Sequence, residues 1–425
     1  MPIKARPETL AMMTAVDKEV LMAIYRHRCL NEPLIHEYFY SDEPDGFTLS
    51  RLREFNSHDL LDFVEYGDSE YPAIFLSARG IQTLRELYQI PVHTVDEETG
   101  KKNRPICRAS NLKMPEVLLN HQMHLSAFAL AIEARIKGKV SYEYQDNKFI
   151  DSCTYAQPDG IFILPNCDLF LEMDMAHERQ ADLRAKWAHY RNYLSARERY
   201  LGRPKKIVVL FATENIKKGG IVTRRKSVMA SLSKTIFDLF NEDFECYIGP
   251  GEELVDIAAD LAMPAGGDLP ITEFLTSEYG FKFSRPNIVP DVCGESYLYM
   301  RKLNKSGGVL SQDGRLQNFF LEDYTKRPIS VLKRAVSFPH TSSILRPTLK
   351  REVPLLLLVP DEKSIYQDLA SVDSLGTPGV YFTTGERLKE KPFPEALFRF
   401  DQLGKMYHFD DFSLKNDIFE KMGWF

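Results

Sequence analysis

Three carboxylates, Asp159, Glu172 and Asp174, have the types and spacing in this chain that could do chemistry. Asp159 stands in Gln157-Pro158-Asp159-Gly160, at the head of the apolar run Ile161-Phe162-Ile163-Leu164. After Pro165-Asn166-Cys167-Asp168, a second run, Leu169-Phe170-Leu171, leads into Glu172-Met173-Asp174. Two short apolar runs around a turn read as a β-hairpin. Residues two apart on a strand share a face, so Glu172 and Asp174 project together, and strand pairing would bring Asp159 near them. Carboxylates gathered at one point repel unless a cation or a proton joins them. The implied chemistry is a hard divalent cation, Mg²⁺ or Mn²⁺, held by Asp159, Glu172 and Asp174 and acting on a phosphate ester.

The elements around the hairpin follow a definite order. A helix starts at Pro115-Glu116 and ends near Lys137-Gly138, and a strand follows at 140–145. After the hairpin comes a long helix, about 178–201, with Leu183, Trp187, Tyr190 and Leu194 at helical spacing. The run Lys206-Ile207-Val208-Val209-Leu210-Phe211 then reads as a strand buried on both faces. Helix, three strands, helix, strand, with an acid after proline on one strand and an acid on the next, resembles the PD-(D/E)XK nuclease core over roughly residues 116–250. That resemblance implies a catalytic Lys two positions after Glu172, where Asp174 stands instead. Lys186 on the following helix is the candidate replacement, so the implied catalytic set is Asp159, Glu172, Asp174 and Lys186. His121, His124 and His177 are further residues that could approach the acids. The competing reading is a surface hairpin with incidental acids.

Net charge is −6, yet the segment from Arg179 to Lys226 holds 14 Lys/Arg against three acids. Phosphate binding depends on such local density, through counterion release, more than on net charge. Arg179, Arg184, Arg224, Arg225 and Lys226 are the DNA-binding candidates here. The alternative is a solvated helix face.

Residues 14–90 read as a winged helix-turn-helix. A first helix spans about 16–28, Asn31-Glu32-Pro33 opens a second, and Thr48 is the expected N-cap of a third. A hairpin at 60–76, turning at Gly67-Asp68, and a last helix through Leu84 and Leu87 follow. On the third helix Arg51, Arg53 and Asn56 are the candidates for base contacts. Residues 1–90 nonetheless hold nine Lys/Arg against 15 Asp/Glu, which also suits a protein-docking or dimerisation module.

Residues 318–324, Asn-Phe-Phe-Leu-Glu-Asp-Tyr, echo 168–174, and a helix about 329–336 and an apolar strand 353–359 follow. A hairpin turning at Asn304–Gly307 is expected upstream, and a strand at 379–382 downstream. The chain is thus expected to be an α/β multidomain protein. Its expected parts are a winged helix (1–92), a linker (93–114), a PD-(D/E)XK-like core (115–265) and a C-terminal α/β domain (266–425), this last read as a degenerate copy of the core.

No run of about 18 apolar residues exists, and the six cysteines are scattered without a Cys-x-x-Cys pair. The N-terminus lacks the apolar core of a signal peptide. A cytoplasmic protein without membrane contact is expected. Neither a Gly-x-x-x-x-Gly-Lys loop nor a Gly-x-Ser-x-Gly elbow occurs, which argues against ATP-driven and esterase chemistry.

Taken together, His121-x-x-His124-Leu, Gln-Pro-Asp159-Gly, Phe-Leu-Glu172-Met-Asp174-Met and Lys186-x-x-x-Tyr190 resemble the replication-relaxation family. Glu178 and the stretches Leu52–Leu61 and Leu76–Gly80 add to the likeness, which covers about residues 14–215. The resemblance implies a DNA-binding protein of a plasmid or other mobile element, acting in replication or mobilisation. Its nuclease-like domain would be either inactive or able to cleave DNA with Mg²⁺ or Mn²⁺. The alternative is a non-catalytic transcriptional regulator or scaffold that recruits a relaxase or replication initiator. A homodimer through the winged helix is a further expected partnership.

Overall fold

In the computed structural model, which describes residues 10–90, 108–150, 156–176, 178–201, 205–214, 220–263, 270–302, 318–350 and 352–408, the first helix starts where the sequence caps it. Thr14 Oγ1 accepts from Asp17 N, and Asp17 Oδ2 accepts from Thr14 N, a reciprocal capping box for α1 (Ala15–Arg26). Asn31 caps α2 (Glu32–Phe39) by accepting from Leu34 N, with Pro33 in the first turn. The third helix, α3 (Phe47–Ser57), begins one residue before the expected cap. Gly46 holds the N-cap position, while Thr48 is buried inside the helix and meets His36 Nδ1 at 3.1 Å. Strands β1 (Leu61–Val64) and β2 (Ala73–Leu76) pair antiparallel, Leu61 opposite Leu76. Ser77 then caps α4 (Ala78–Tyr88).

Gly80 in α4 lets this helix lie against the hairpin. A Cβ at that position would sit 2.2 Å from the Leu60 carbonyl oxygen. Backbone cannot yield as a side-chain tip can, so Gly80→Ala is expected to lower stability by about 1–3 kcal/mol. Urea titration of the full chain checks this, and a loss near zero would show that the β1 entry gives way.

The described residues fall into two compact units. One comprises Met1–His177, Ile207–Ile216 and Gly249–Met263; the other comprises Glu178–Lys206, Lys217–Ile248 and Pro264–Phe425. His177, the Asn304–Gly307 turn and residues 93–107 of the expected linker lie outside the described residues.

In the first unit, α5 (Ala109–Leu112) precedes α6 (Leu119–Ile136). One apolar core joins Val20 and Ile24 of α1, Phe55 of α3 and Phe75 of β2 to Leu119 and Leu130 of α6. Gln122 Nε2 donates to the His27 carbonyl at 3.0 Å, so α6 also closes the end of α1. Four sheet strands of this unit lie in the order β3 (Glu143–Asp146), β4 (Gly160–Ile163), β5 (Cys167–Asp174) and β6 (Lys206–Thr213). The pairs β3–β4 and β4–β5 are antiparallel, with Gly160 opposite Leu171. Strands β5 and β6 are buried almost throughout, as runs of alternating face cannot be when one face meets water.

Between β5 and β6 the chain forms α7 (Gln180–Leu201), and after β6 come α8 (Gly220–Ser233), β7 (Phe244–Gly249) and α9 (Gly251–Ala262). The expected stripe on α7 is the one that packs: Leu183, Trp187 and Tyr190 are buried, and Trp187 Nε1 donates to Ser231 Oγ of α8 at 3.0 Å.

The rest of the second unit continues with α10 (Pro270–Tyr279), β8 (Phe281–Ser284), α11 (Ile288–Cys293), β9 (Leu298–Lys302), β10 (Asn318–Asp323), α12 (Ile329–Leu349), β11 (Leu355–Val359), α13 (Glu362–Ser371), β12 (Val380–Thr384), α14 (Gly385–Glu390), α15 (Phe393–Ala396), β13 (Phe398–Phe400) and β14 (Met406–His408). Its seven-stranded sheet has the order β14-β13-β12-β11-β10-β9-β8. Strand β9 is antiparallel to both β8 and β10, then β10, β11 and β12 run parallel. From β8 to β11 the chain also gives three strands, a helix and a further strand, but with α11 added between β8 and β9. Helix α12 runs well past the expected 336 and carries Pro339 and Pro347 within it. Proline removes a helix donor, but here the buried face of Leu332, Ala335, Phe338 and Leu345 holds the turns together. No described helix is long and apolar enough to cross a membrane.

Candidate functional site

Strand β3 lies close against the start of β4 because residue 160 is a glycine packed on the Tyr144 ring. A Cβ on residue 160 would meet that ring at 3.0 Å. One residue before it, Asp159 N donates to the Leu171 carbonyl at 2.9 Å, and Asp159 Oδ2 accepts from Met173 N at 2.8 Å. His121 of α6 reaches the same point: its Nε2 is 3.0 Å from the Met173 carbonyl and 3.3 Å from Asp159 Oδ2. A proton on Nε2 serves both oxygens. The structure therefore brings Asp159 and His121 together at the exit of the hairpin, with Asp159 partly open to solvent.

Glu172 and Asp174 lie on β5, each 1% exposed. Asp174 Oδ1 accepts from Ala176 N at 3.0 Å, and the Asp174 carbonyl accepts from Glu214 N at 2.9 Å. Glu214 Oε1 in turn accepts from Gly251 N at 2.8 Å, at the positive end of α9. Burial pushes the His124 imidazole down from its ordinary value; Glu214 opposes this and His121 adds to it. Glu214 was not singled out from the sequence, although an acid just after a buried strand is the available signal. Among the described residues, no three His, Cys, Asp or Glu side chains are grouped so as to hold a metal ion. As placed, Asp159, Glu172 and Asp174 do not make a divalent-cation cage, and no reaction step is derived through one. Lys186 belongs to the second unit, where its ammonium pairs with Glu178 Oε1 at 2.9 Å.

The basic segment divides into surface and interior. Arg179 and Arg184 on or before α7, and Lys226 on α8, are exposed. Gln180 Nε2 donates to the Ser227 carbonyl and Arg224 Nη1 to the Glu178 carbonyl, both at 2.8 Å. These bonds tie the start of α7 to α8, so the exposed cations sit on one helix pair. Arg225 is a correction. Expected on the DNA-binding surface, it is 5% exposed, with Nε 3.0 Å from Asp368 Oδ1 and Nη2 3.1 Å from Asp368 Oδ2. It faces the interior of the second unit because α8 packs on α13 there. Arg203, Lys217 and Lys218 lie outside the described residues.

On α3, Arg53 and Asn56 are exposed. Arg51, expected beside them as a base-contacting residue, is a second correction. Its Nε donates to Asp17 Oδ1 at 2.9 Å and its Nη2 to the Met12 carbonyl at 2.8 Å, and it also pairs with Glu54. Asp17 takes a further bond from Tyr40 Oη at 2.6 Å. Burial alone would raise the Asp17 carboxyl, but bonds from Arg51, Tyr40 and Thr14 outweigh it and hold the group at about 2. Arg51 therefore locks three helices together and is not a free guanidinium for a groove.

Residues 21–210 match the replication-relaxation family. No curated protein and no solved structure matches the chain. The replication-relaxation region runs from Leu21 in α1 to Leu210 in β6. It takes in the helices and hairpin of the N-terminal part and strands β3 to β6, with all three acids, and agrees with the resemblance read from the motifs. The seven-stranded sheet lies beyond it.

Proposed function

We propose that this protein binds DNA and acts in the replication or mobilisation of a plasmid or other mobile element. In this reading α1–α3 with the β1–β2 hairpin form a winged helix, α6 to β6 form a PD-(D/E)XK-like core, and β8 to β11 are its degenerate copy. The observation that carries DNA binding is the set of exposed cations, Arg179, Arg184 and Lys226, on the joined helices α7 and α8, the first two within the residues that match the replication-relaxation family. Arg53 and Asn56 on α3 are candidates for additional contacts. The acidic hollow around Asp42, Glu43 and Glu54 beside α3 suits a protein partner, such as a relaxase, an initiator or a second protomer, better than phosphate.

Fluorescence anisotropy with duplex and single-stranded DNA over a salt series tests this. The triple variant Arg179→Glu, Arg184→Glu, Lys226→Glu is expected to weaken binding at least tenfold and to flatten the log–log salt slope by about 2–3, near 0.9 per lost phosphate contact on a duplex. Unchanged affinity and slope in a folded variant would sink the proposal. The buried, hydrogen-bonded carboxylates favour a core that grips DNA without cutting it. A nicking assay with Mg²⁺ and Mn²⁺ separates the two: cleavage that disappears in Asp159→Ala and Glu172→Ala would replace the binding-only reading with a metal-dependent nuclease.

A further inference from the structure

The first unit has a hollow of about 550 Å³ where α1 and α3 begin and α2 ends. Resting on the reading of this hollow as a protein-docking surface, we propose that its occupant is a basic amphipathic segment of a partner protein, with Lys or Arg beside an apolar side chain. The floor is apolar. Met12, Phe39 and Phe47 pack on the core of the unit and also line the hollow. Val16 joins them and is 39% exposed. Apolar side chains gathered in one concavity and facing water gain from being covered.

The walls are acidic. Four carboxylates, Asp17, Asp42, Glu43 and Glu54, line the hollow against one cation, Arg51. That guanidinium is already committed. Its Nε donates to Asp17 Oδ1 at 2.9 Å, its Nη2 to the Met12 carbonyl at 2.8 Å, and it pairs with Glu54. These bonds hold the planar fork in the wall, turned to Asp17 and Glu54. Asp42 and Glu43 are exposed on the segment that joins α2 to α3, and they carry the excess negative charge of the hollow.

Charge and size together select the occupant. Such a wall repels a nucleic-acid backbone, and a neutral or acidic peptide gains nothing from Asp42 and Glu43. The volume lies within the range of about 300–1,000 Å³ of ordinary ligand pockets, so it takes a few side chains rather than a broad domain face. A segment with one apolar anchor on the floor and cations at the acidic rim matches volume, floor and wall at once. This hollow belongs to the first unit, whereas the DNA surface proposed on α7 and α8 belongs to the second.

Fluorescence anisotropy of the full chain with a labelled synthetic helical peptide tests this. The probe carries Lys on one face and Leu on the other; one analogue has Glu for Lys, another Ser for Leu. The Lys/Leu peptide is expected to bind saturably, and each analogue at least about tenfold more weakly. Asp42→Lys combined with Glu43→Lys should weaken the Lys/Leu peptide about tenfold, and Val16→Ser about threefold, with thermal melts unchanged. Glu65→Lys combined with Glu70→Lys makes the same charge change at the exposed turn between β1 and β2, and should cost less than about twofold. Equal losses in the two charge-reversed chains mean diffuse attraction and overturn the proposal. Sedimentation velocity identifies other occupants: self-association that Asp42→Lys with Glu43→Lys abolishes assigns the hollow to a second copy. Peptide binding that requires removal of residues 1–9 assigns it to the N-terminal segment of the chain itself. Either result overturns a partner segment and leaves the hollow a docking surface. No binding of any peptide, without self-association, overturns both.

Discussion

Asp368→Ala is expected to destabilise the second unit by roughly 3–5 kcal/mol. Asp368 is 1% exposed and is the shared anion for two guanidinium groups. Arg225 approaches it at 3.0 Å and 3.1 Å, Arg327 at 2.9 Å and 2.8 Å, and Tyr324 Oη donates to it at 2.8 Å. Removing the carboxylate leaves Arg225 charged and buried, and that orphaned charge is the largest part of the loss. Hydrogen exchange should rise in α8, α13 and β10 together, and a urea titration should show the lost free energy. A loss under about 1 kcal/mol would mean that water replaces the carboxylate and that the cluster is not a structural hub. Asp368→Asn should fall between the two, since it keeps the volume and part of the bonding.

The same cluster predicts a pH dependence. Burial alone would raise Asp368, but Arg225 and Arg327 outweigh it and lower the group to about 2. A carboxyl depressed in the folded state adds stability that is present above its unfolded value, near 3.9, and is lost as pH falls toward 2. The contribution is on the order of 2–3 kcal/mol. Wild-type stability should therefore decline below about pH 4, and the decline should be shallower in Asp368→Asn.

The second large effect is at Asp17. Asp17→Ala removes the capping box of α1 and leaves Arg51 and Tyr40 without their shared acceptor. A lost cap costs about 1 kcal/mol, and breaking a buried charge pair costs about 3–5 kcal/mol. Arg51 keeps Glu54 and some access to solvent, so a total near 3 kcal/mol is expected. The variant also sorts the residues of α3. Arg51→Ala should lower stability and change DNA affinity only through folding, whereas Arg53→Ala should leave stability alone. Thermal melts and anisotropy on the same preparations measure both. If Arg51→Ala binds DNA more weakly at unchanged stability, Arg51 contacts DNA after all.

Several features were legible because local chemistry writes them. The start of α2 at Asn31-Glu32-Pro33, the Leu183-Trp187-Tyr190 stripe and the buried run at 207–211 each follow from patterns within a few residues. The β4–β5 hairpin was legible for the same reason, as was the replication-relaxation match over the motif-bearing residues. The extent of α12 was not, because two prolines argue for a stop and only the packing of its far side overrides them.

What the sequence alone determined is the kind of elements, their order and the likeness of residues 21–210 to the replication-relaxation family. Which charges face water was decided only by tertiary structure. Arg225 and Lys226 are neighbours of equal charge, yet one pairs with Asp368, 143 positions away, while the other is exposed. Arg51 and Arg53 divide in the same way across one turn of helix. The physical reason is common to both. Periodicity fixes which residues share a face, but the partner that covers that face comes from a distant part of the chain. Once a charge is buried, such a partner is what makes it tolerable.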